Sequence, residues 1–289
     1  MSAKTTSLNG TPKPQPVVAG KPNAASTGSI SRNKFSNATW HLKPKEEWSW
    51  QERMLDALHI LQDPAGSERP PVFPMDAPVP VCTIWSQHAW VAPRAFAPLL
   101  VHYAFVNYTG IQVPATVAGP LYLGYFLWYG SELFSLFRRM TKRYGTFDGA
   151  HPRDGIPDDE TSHVSYELTC VVLLRAIFAF TVIYPSDQSQ LLNLTNLAWM
   201  PINLFLYSAI LDFWFYWYHR LMHDVDFLWR FHKKHHTTKH PTAAHGAFAD
   251  TTQEAMDILG IPLLTYLTTA ATPFRVDFAT WWVSCLYTL

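Results

Sequence analysis

Seven of the thirteen histidines fall between His219 and His245, and their spacing is ordered. The stretch reads HRLMH, then FHKKHH, then KHPTAAH. His219 and His223 stand four apart, so on a helix their rings share one face. His232, His235 and His236 stand at i, i+3 and i+4 and do likewise. Neutral imidazole ligates iron, zinc, copper and nickel. Five such rings, with a few further donors, can hold two metal ions. His245 and Asp250 are the next candidates for ligands. Asp250 and Glu254 place two carboxylates on one helical face, as ligands or as hydrogen-bond support for a ligand ring. Asp212, two turns before His219, is a further candidate for such support. His240 precedes Pro241, which breaks the local helix. No side chain beyond the metal ligands stands out as catalytic. The HExxH pattern is absent, since no Glu follows His219. Cys82, Cys170 and Cys285 lie far apart and form neither a Cys-rich zinc motif nor a disulfide framework.

The elements that must carry this array are apolar. Only 15% of the 289 residues are charged, against about 25% in ordinary domains, and 15% are aromatic. Net charge is zero, so nothing in the overall balance points to nucleic acid. Residues 95–131 contain no Asp, Glu, Lys or Arg. They read as one crossing with a re-entrant piece, or as a hairpin of two helices. A second apolar helix is expected over 166–184, with Arg175 at its middle. A charge there is costly in lipid unless it pairs, snorkels, or faces protein or water. A third helix is expected over 197–218. It is long enough to cross, because about 20 residues span the hydrocarbon core. It ends in DFWFYWYHR, whose aromatics suit the membrane interface. A shorter apolar stretch at 258–274 carries Pro262, and FATWWVSCLYTL closes the sequence.

Residues 1–38 are rich in Ser, Thr, Pro and Gly and are expected to be a disordered tail. Residues 39–94 hold an amphipathic helix near 46–61, then a Pro-rich linker. Residues 95–289 form the membrane-embedded domain. The basic loops at 138–143 and 220–239 are separated by two crossings and so share one side, cytoplasmic by the positive-inside tendency. The expected fold is all-α: a polytopic membrane helical bundle with a cytoplasmic, histidine-rich helical cap.

The two boxes HRLMH and FHKKHH, the aromatic helix before them, and the run KKHHTTKHPTAAHGAFADTTQEAMDILGIPLLTY resemble the fatty acid hydroxylase/sterol desaturase superfamily. The run is most similar to fungal sterol C-4 methyl oxidase and C-5 desaturase members. The resemblance covers about 120–289 and is strongest at 212–266. It implies a non-heme di-iron enzyme of the endoplasmic-reticulum membrane. Such an enzyme uses O2 to hydroxylate or desaturate a membrane lipid, with electrons from cytochrome b5 or its reductase. It implies iron ligation by His219, His223, His232, His235 and His236, and is compatible with a homo-oligomer. Many relatives place a further ligand His where this sequence has Asp250, with His245 nearby. The family also has a third histidine box after another membrane segment. This sequence reaches Leu289 before such a box, so it reads as a member truncated at its C-terminus. Two other readings follow from that expectation: an inactive homologue acting as a membrane partner or regulator, and a zinc-dependent membrane hydrolase needing fewer ligands.

Overall fold

The computed structural model describes residues 38–60, 71, 73, 78, 80–145, 154–242, 245, 246, 248–272 and 276–288. The expected tail, apart from residue 38, and most of the Pro-rich linker lie outside them. Among the described residues every regular element is a helix. The α-helices are α1 (Trp50–Ala57), α2 (Ile84–Thr109), α3 (Ala115–Tyr144), α4 (Thr161–Phe178), α5 (Leu194–Asp224), α6 (Asp226–His232), α7 (Thr251–Ala255), α8 (Ile261–Ala270) and α9 (Phe278–Tyr287). Single wider turns extend α4 through Ala179–Ile183 and link α7 to α8 through Met256–Gly260.

These residues form two compact units. The first gathers described residues of Met1–Trp90, Ser131–Ser162 and Thr238–His245. Here α1 begins with a capping box: Ser49 accepts from the Glu52 N–H, and the Glu52 carboxylate accepts from the Ser49 N–H. Leu55 is fully buried, as is Trp40, which packs edge-on to Trp48 at 5.4 Å. The Trp40 indole donates to the Ile156 carbonyl at 3.0 Å. The amphipathic segment therefore packs on protein. Asp154 takes the N–H groups of both Lys239 and His240, at 2.7 and 2.8 Å, and holds the loop that leads to His245.

The second unit gathers described residues of Val91–Gly130, His163–Thr237 and Gly246–Leu289. The uncharged stretch resolves as two antiparallel helices. Tyr125 donates to the Arg94 carbonyl at 2.7 Å, and Tyr122 sits 3.2 Å from His102 Nδ1. Gly110, at φ +72°, ends α2 by donating to the Val106 carbonyl, a left-handed cap that suits a residue without Cβ. His102 also meets Gln188 at 3.3 Å in a buried polar knot, so it is structural. α5 packs against α6, α8 and α9. Its N-terminus is capped by Asn193, which accepts from the Asn196 N–H at 2.8 Å.

Among the described residues, three helical segments are long and apolar enough to cross a membrane: Ile84–Thr109, Thr161–Ile183 and Leu194–Asp224. Most of their apolar surface is uncovered by the chain's own atoms; Phe205 is 70% exposed. Contiguous apolar exposure on this scale marks a surface that another apolar phase covers. α5 is longer than the core needs. His219 lies 25 residues past the helix start, about 38 Å along the axis, beyond the roughly 30 Å hydrocarbon thickness.

Candidate metal centre

Two turns at the end of α5 carry His219 and His223. Val225 is extended and breaks the helix, and Asp226 restarts the chain as α6. α6 brings His232 back against the α5 pair. A turn through Lys233 and Lys234 then leads into the 3-10 segment His235–Thr237. The result is one cluster: a ligating nitrogen from each of His219, His223, His232 and His236 lies within 4.8 Å of all the others.

The contacts inside this group are short and run through one atom type. His223 Nε2 is 3.3 Å from His219 Nε2, His232 Nε2 is 3.2 Å from His223 Nε2, and His236 Nε2 is 2.9 Å from His232 Nε2. Four nitrogens at about 2.0–2.1 Å from one ion in a tetrahedron stand ~3.3–3.4 Å apart. The three observed spacings, 2.9–3.3 Å, are near or below that, and all four nitrogens lie within 4.8 Å of one another. Hydrogen bonds alone satisfy such a cluster poorly, because each neutral ring has one donor and one acceptor. The donor set therefore fits a transition-metal ion. His232 is fully buried. Burial, then the neighbouring rings, holds its pKa below the ordinary value. Burial does the same for His236, with His223 adding to it. Both rings stay neutral, the form that ligates.

His232 is also oriented from behind. Its Nδ1 lies 2.9 Å from Gln253 Oε1, and the Gln253 amide donates to Asp257 at 3.3 Å. A carbonyl oxygen accepts only, so Nδ1 carries the proton and Nε2 is free to ligate. α7 holds Gln253 in place. Tyr218 on α5 donates to the Gln253 carbonyl at 3.4 Å, and Thr251 donates to Glu167 on α4 at 2.8 Å. On the outer side, Trp229 lies against His223 and His236, with ring centroids 5.5 Å from each. Neither Gln253 nor Trp229 stood out in the sequence. Gln253 has no motif spacing of its own. Trp229 sits between the two histidine boxes, three residues before His232, which was the one available signal.

The other expected site residues fall differently. His235 adjoins the cluster, with its ring 5.7 Å from that of His232 and 5.4 Å from that of His236, but is not one of the four. α6 ends at His232, so helical i, i+3 registration does not extend to it. Asp250 caps α7, accepting from the Thr252 N–H at 2.9 Å, and is also not one of the four. Glu254 is buried but not one of the four, while Asp212 is exposed. His245 belongs to the first unit and is buried there. Its Nδ1 accepts from the Thr242 N–H at 3.0 Å, which leaves the ring proton on Nε2.

Membrane-length helices and a four-imidazole cluster define a multi-pass membrane protein with a metal-type donor set. Residues 204–289, which carry the cluster, match the fatty acid hydroxylase family. The chain is 35% identical over 230 residues to the fatty acid hydroxylase vlmA of a Lecanicillium species, a match covering 75% of this chain and 63% of that relative. Both matches support membership of the fatty acid hydroxylase/sterol desaturase superfamily. The chain spans less than two thirds of the length of that relative. No solved structure matches the chain.

Proposed function

We propose that this chain is an iron- and O2-dependent lipid oxidase whose first metal position is His219, His223, His232 and His236. The observation that carries this reading is the convergence of four Nε2 atoms at the end of a membrane-length apolar helix. Iron bound there supplies the power to take hydrogen from an unactivated C–H bond using O2. In hydroxylation one oxygen atom enters the lipid and the other leaves as water. In desaturation both leave as water. Each outcome consumes two electrons from a donor such as cytochrome b5 or its reductase.

The chain's own residues set the conditions for that chemistry. Gln253 fixes the His232 ring by its Nδ1 proton. Trp229 packs its ring against those of His223 and His236. α5 passes through the apolar phase and lifts His219 and His223 to its edge, where lipid and soluble donor meet. His235, beside the cluster, and Asp250 are the candidates for a second iron within the same unit. We place the cluster on the cytoplasmic side of the endoplasmic-reticulum membrane, because three of its four histidines lie within the basic stretch 220–239. The substrate is a fatty-acyl or sterol lipid, and the family match and the named relative favour the fatty-acyl class.

The test is metal analysis of the detergent-purified chain, followed by incubation with lipid, O2 and a reduced donor. Iron with an oxygenated or desaturated product supports the reading. A single tightly held zinc with hydrolysis and no O2 uptake would establish the hydrolase instead, which four histidines suffice to hold. A protein without metal or turnover would leave a role as membrane partner.

A further inference from the structure

Arg175 lies within Thr161–Ile183, a helix long and apolar enough to cross a membrane. An intramembrane guanidinium is tolerated where it pairs or faces a cavity. Among the described residues Arg175 forms no ion pair. Its side chain instead lines a cavity of about 200 Å³ in the second unit. The walls include Phe178 on α4, Tyr207 and Leu211 on α5, Leu263 on α8 and Trp281 on α9. Arg175 is the sole charged residue of that lining, which contains no Asp or Glu. The cavity is thus an apolar chamber with one fixed positive charge.

The chamber is built on the helix that carries the metal ligands. Leu211 precedes His219 by eight residues, about 12 Å of helix rise. Ile258 and Leu259, also in the lining, follow directly on the segment that places Gln253 against His232.

We propose that this cavity is an acyl-binding site in which the Arg175 guanidinium takes the carboxylate of a long-chain fatty acid. The charge complement selects an anion, the walls select a hydrocarbon chain, and a carboxylate matches the two-pronged donor face of arginine. Neutral sterols lack the group that this guanidinium needs. Calling the acid a substrate rests on the oxidase reading; its binding does not.

The experiment is equilibrium binding to the full chain as purified in detergent, without reductant, so that no turnover occurs whatever metal is present. Palmitate is compared with hexadecanol, which has the same chain and no charge, and with dipalmitoyl phosphatidic acid and ergosterol. Palmitate should bind ~10- to 100-fold more tightly than hexadecanol, the range expected for a charge-assisted contact. Arg175→Gln should bring palmitate to the level of hexadecanol and leave hexadecanol unchanged. Leu263→Trp, which fills the chamber, should weaken both. Equal binding of acid and alcohol by the unaltered chain overturns the proposal without any variant. Phosphatidic acid binding as tightly as palmitate overturns it in favour of a phospholipid head group. Palmitate binding with no oxidation would sustain this site while removing the oxidase reading.

Discussion

The Nδ1 of His232 and the Oε1 of Gln253 lie 2.9 Å apart, both residues buried, on segments separated by 21 positions in sequence. This contact decides which nitrogen of His232 faces the cluster. Partners behind a ligand histidine typically contribute 10- to 100-fold to metal affinity. Gln253→Leu should therefore weaken metal binding by about that factor in competition with a calibrated chelator. Gln253→Glu, which keeps an acceptor at the same place, should restore it. Equal affinity in the leucine variant and the parent chain would remove Gln253 from the centre.

The four clustered histidines should behave as a set. Single substitutions to Ala at His219, His223, His232 or His236 should each take bound metal to background. His240→Ala, outside the cluster, should keep the parental content. Metal content per folded chain, measured after gel filtration, separates ligand loss from unfolding. Retention of full metal by two or more of the four variants would contradict the assigned position.

Glu254 carries a pH signature. Burial pushes its pKa up to about 7, with the charges of Asp257 and Glu167 adding to the rise and Arg175 opposing it. The folded chain therefore binds the Glu254 proton more tightly than the unfolded chain. Stability from this group is present at acid pH and is lost as pH rises from the ordinary carboxylate range to about 7. The thermal midpoint in detergent should fall across that window. Glu254→Gln should flatten the fall and raise the midpoint at pH values above it. A parental slope in the Gln variant would assign the titration elsewhere.

Sidedness is open to chemical labelling. With the cluster at the cytoplasmic face, Lys142→Cys should react with an impermeant maleimide added to sealed microsomes. Ser189→Cys, in the loop before α5, should react only after permeabilisation. The reverse pattern would invert the topology.

Much of this architecture is legible in one dimension. The apolar segments announce themselves because a bilayer demands long runs without charge, and α4 and α5 lie where those runs are. Both start earlier than expected: α4 with its wider turn runs Thr161–Ile183 rather than 166–184, and α5 runs Leu194–Asp224 rather than 197–218, because Asn193 caps it early and Pro201 within it does not stop it before Val225. The choice between one crossing and a hairpin at 95–131 was not legible. The hairpin depends on Gly110 and on contacts from Tyr122 and Tyr125 to α2, which no periodicity records.

The histidine spacing by itself determined that His219 pairs with His223 and that a second group follows, since a helix turns those rings to one face. Tertiary structure decided which members meet. His236 joins the cluster and His235 stands beside it, because α6 ends at His232 and a turn resets the register. It also decided that Gln253 stands behind His232 and that Arg175 faces a cavity. Those relationships join segments tens of residues apart. They arise from the packing of α4, α5 and α7 and not from any local pattern.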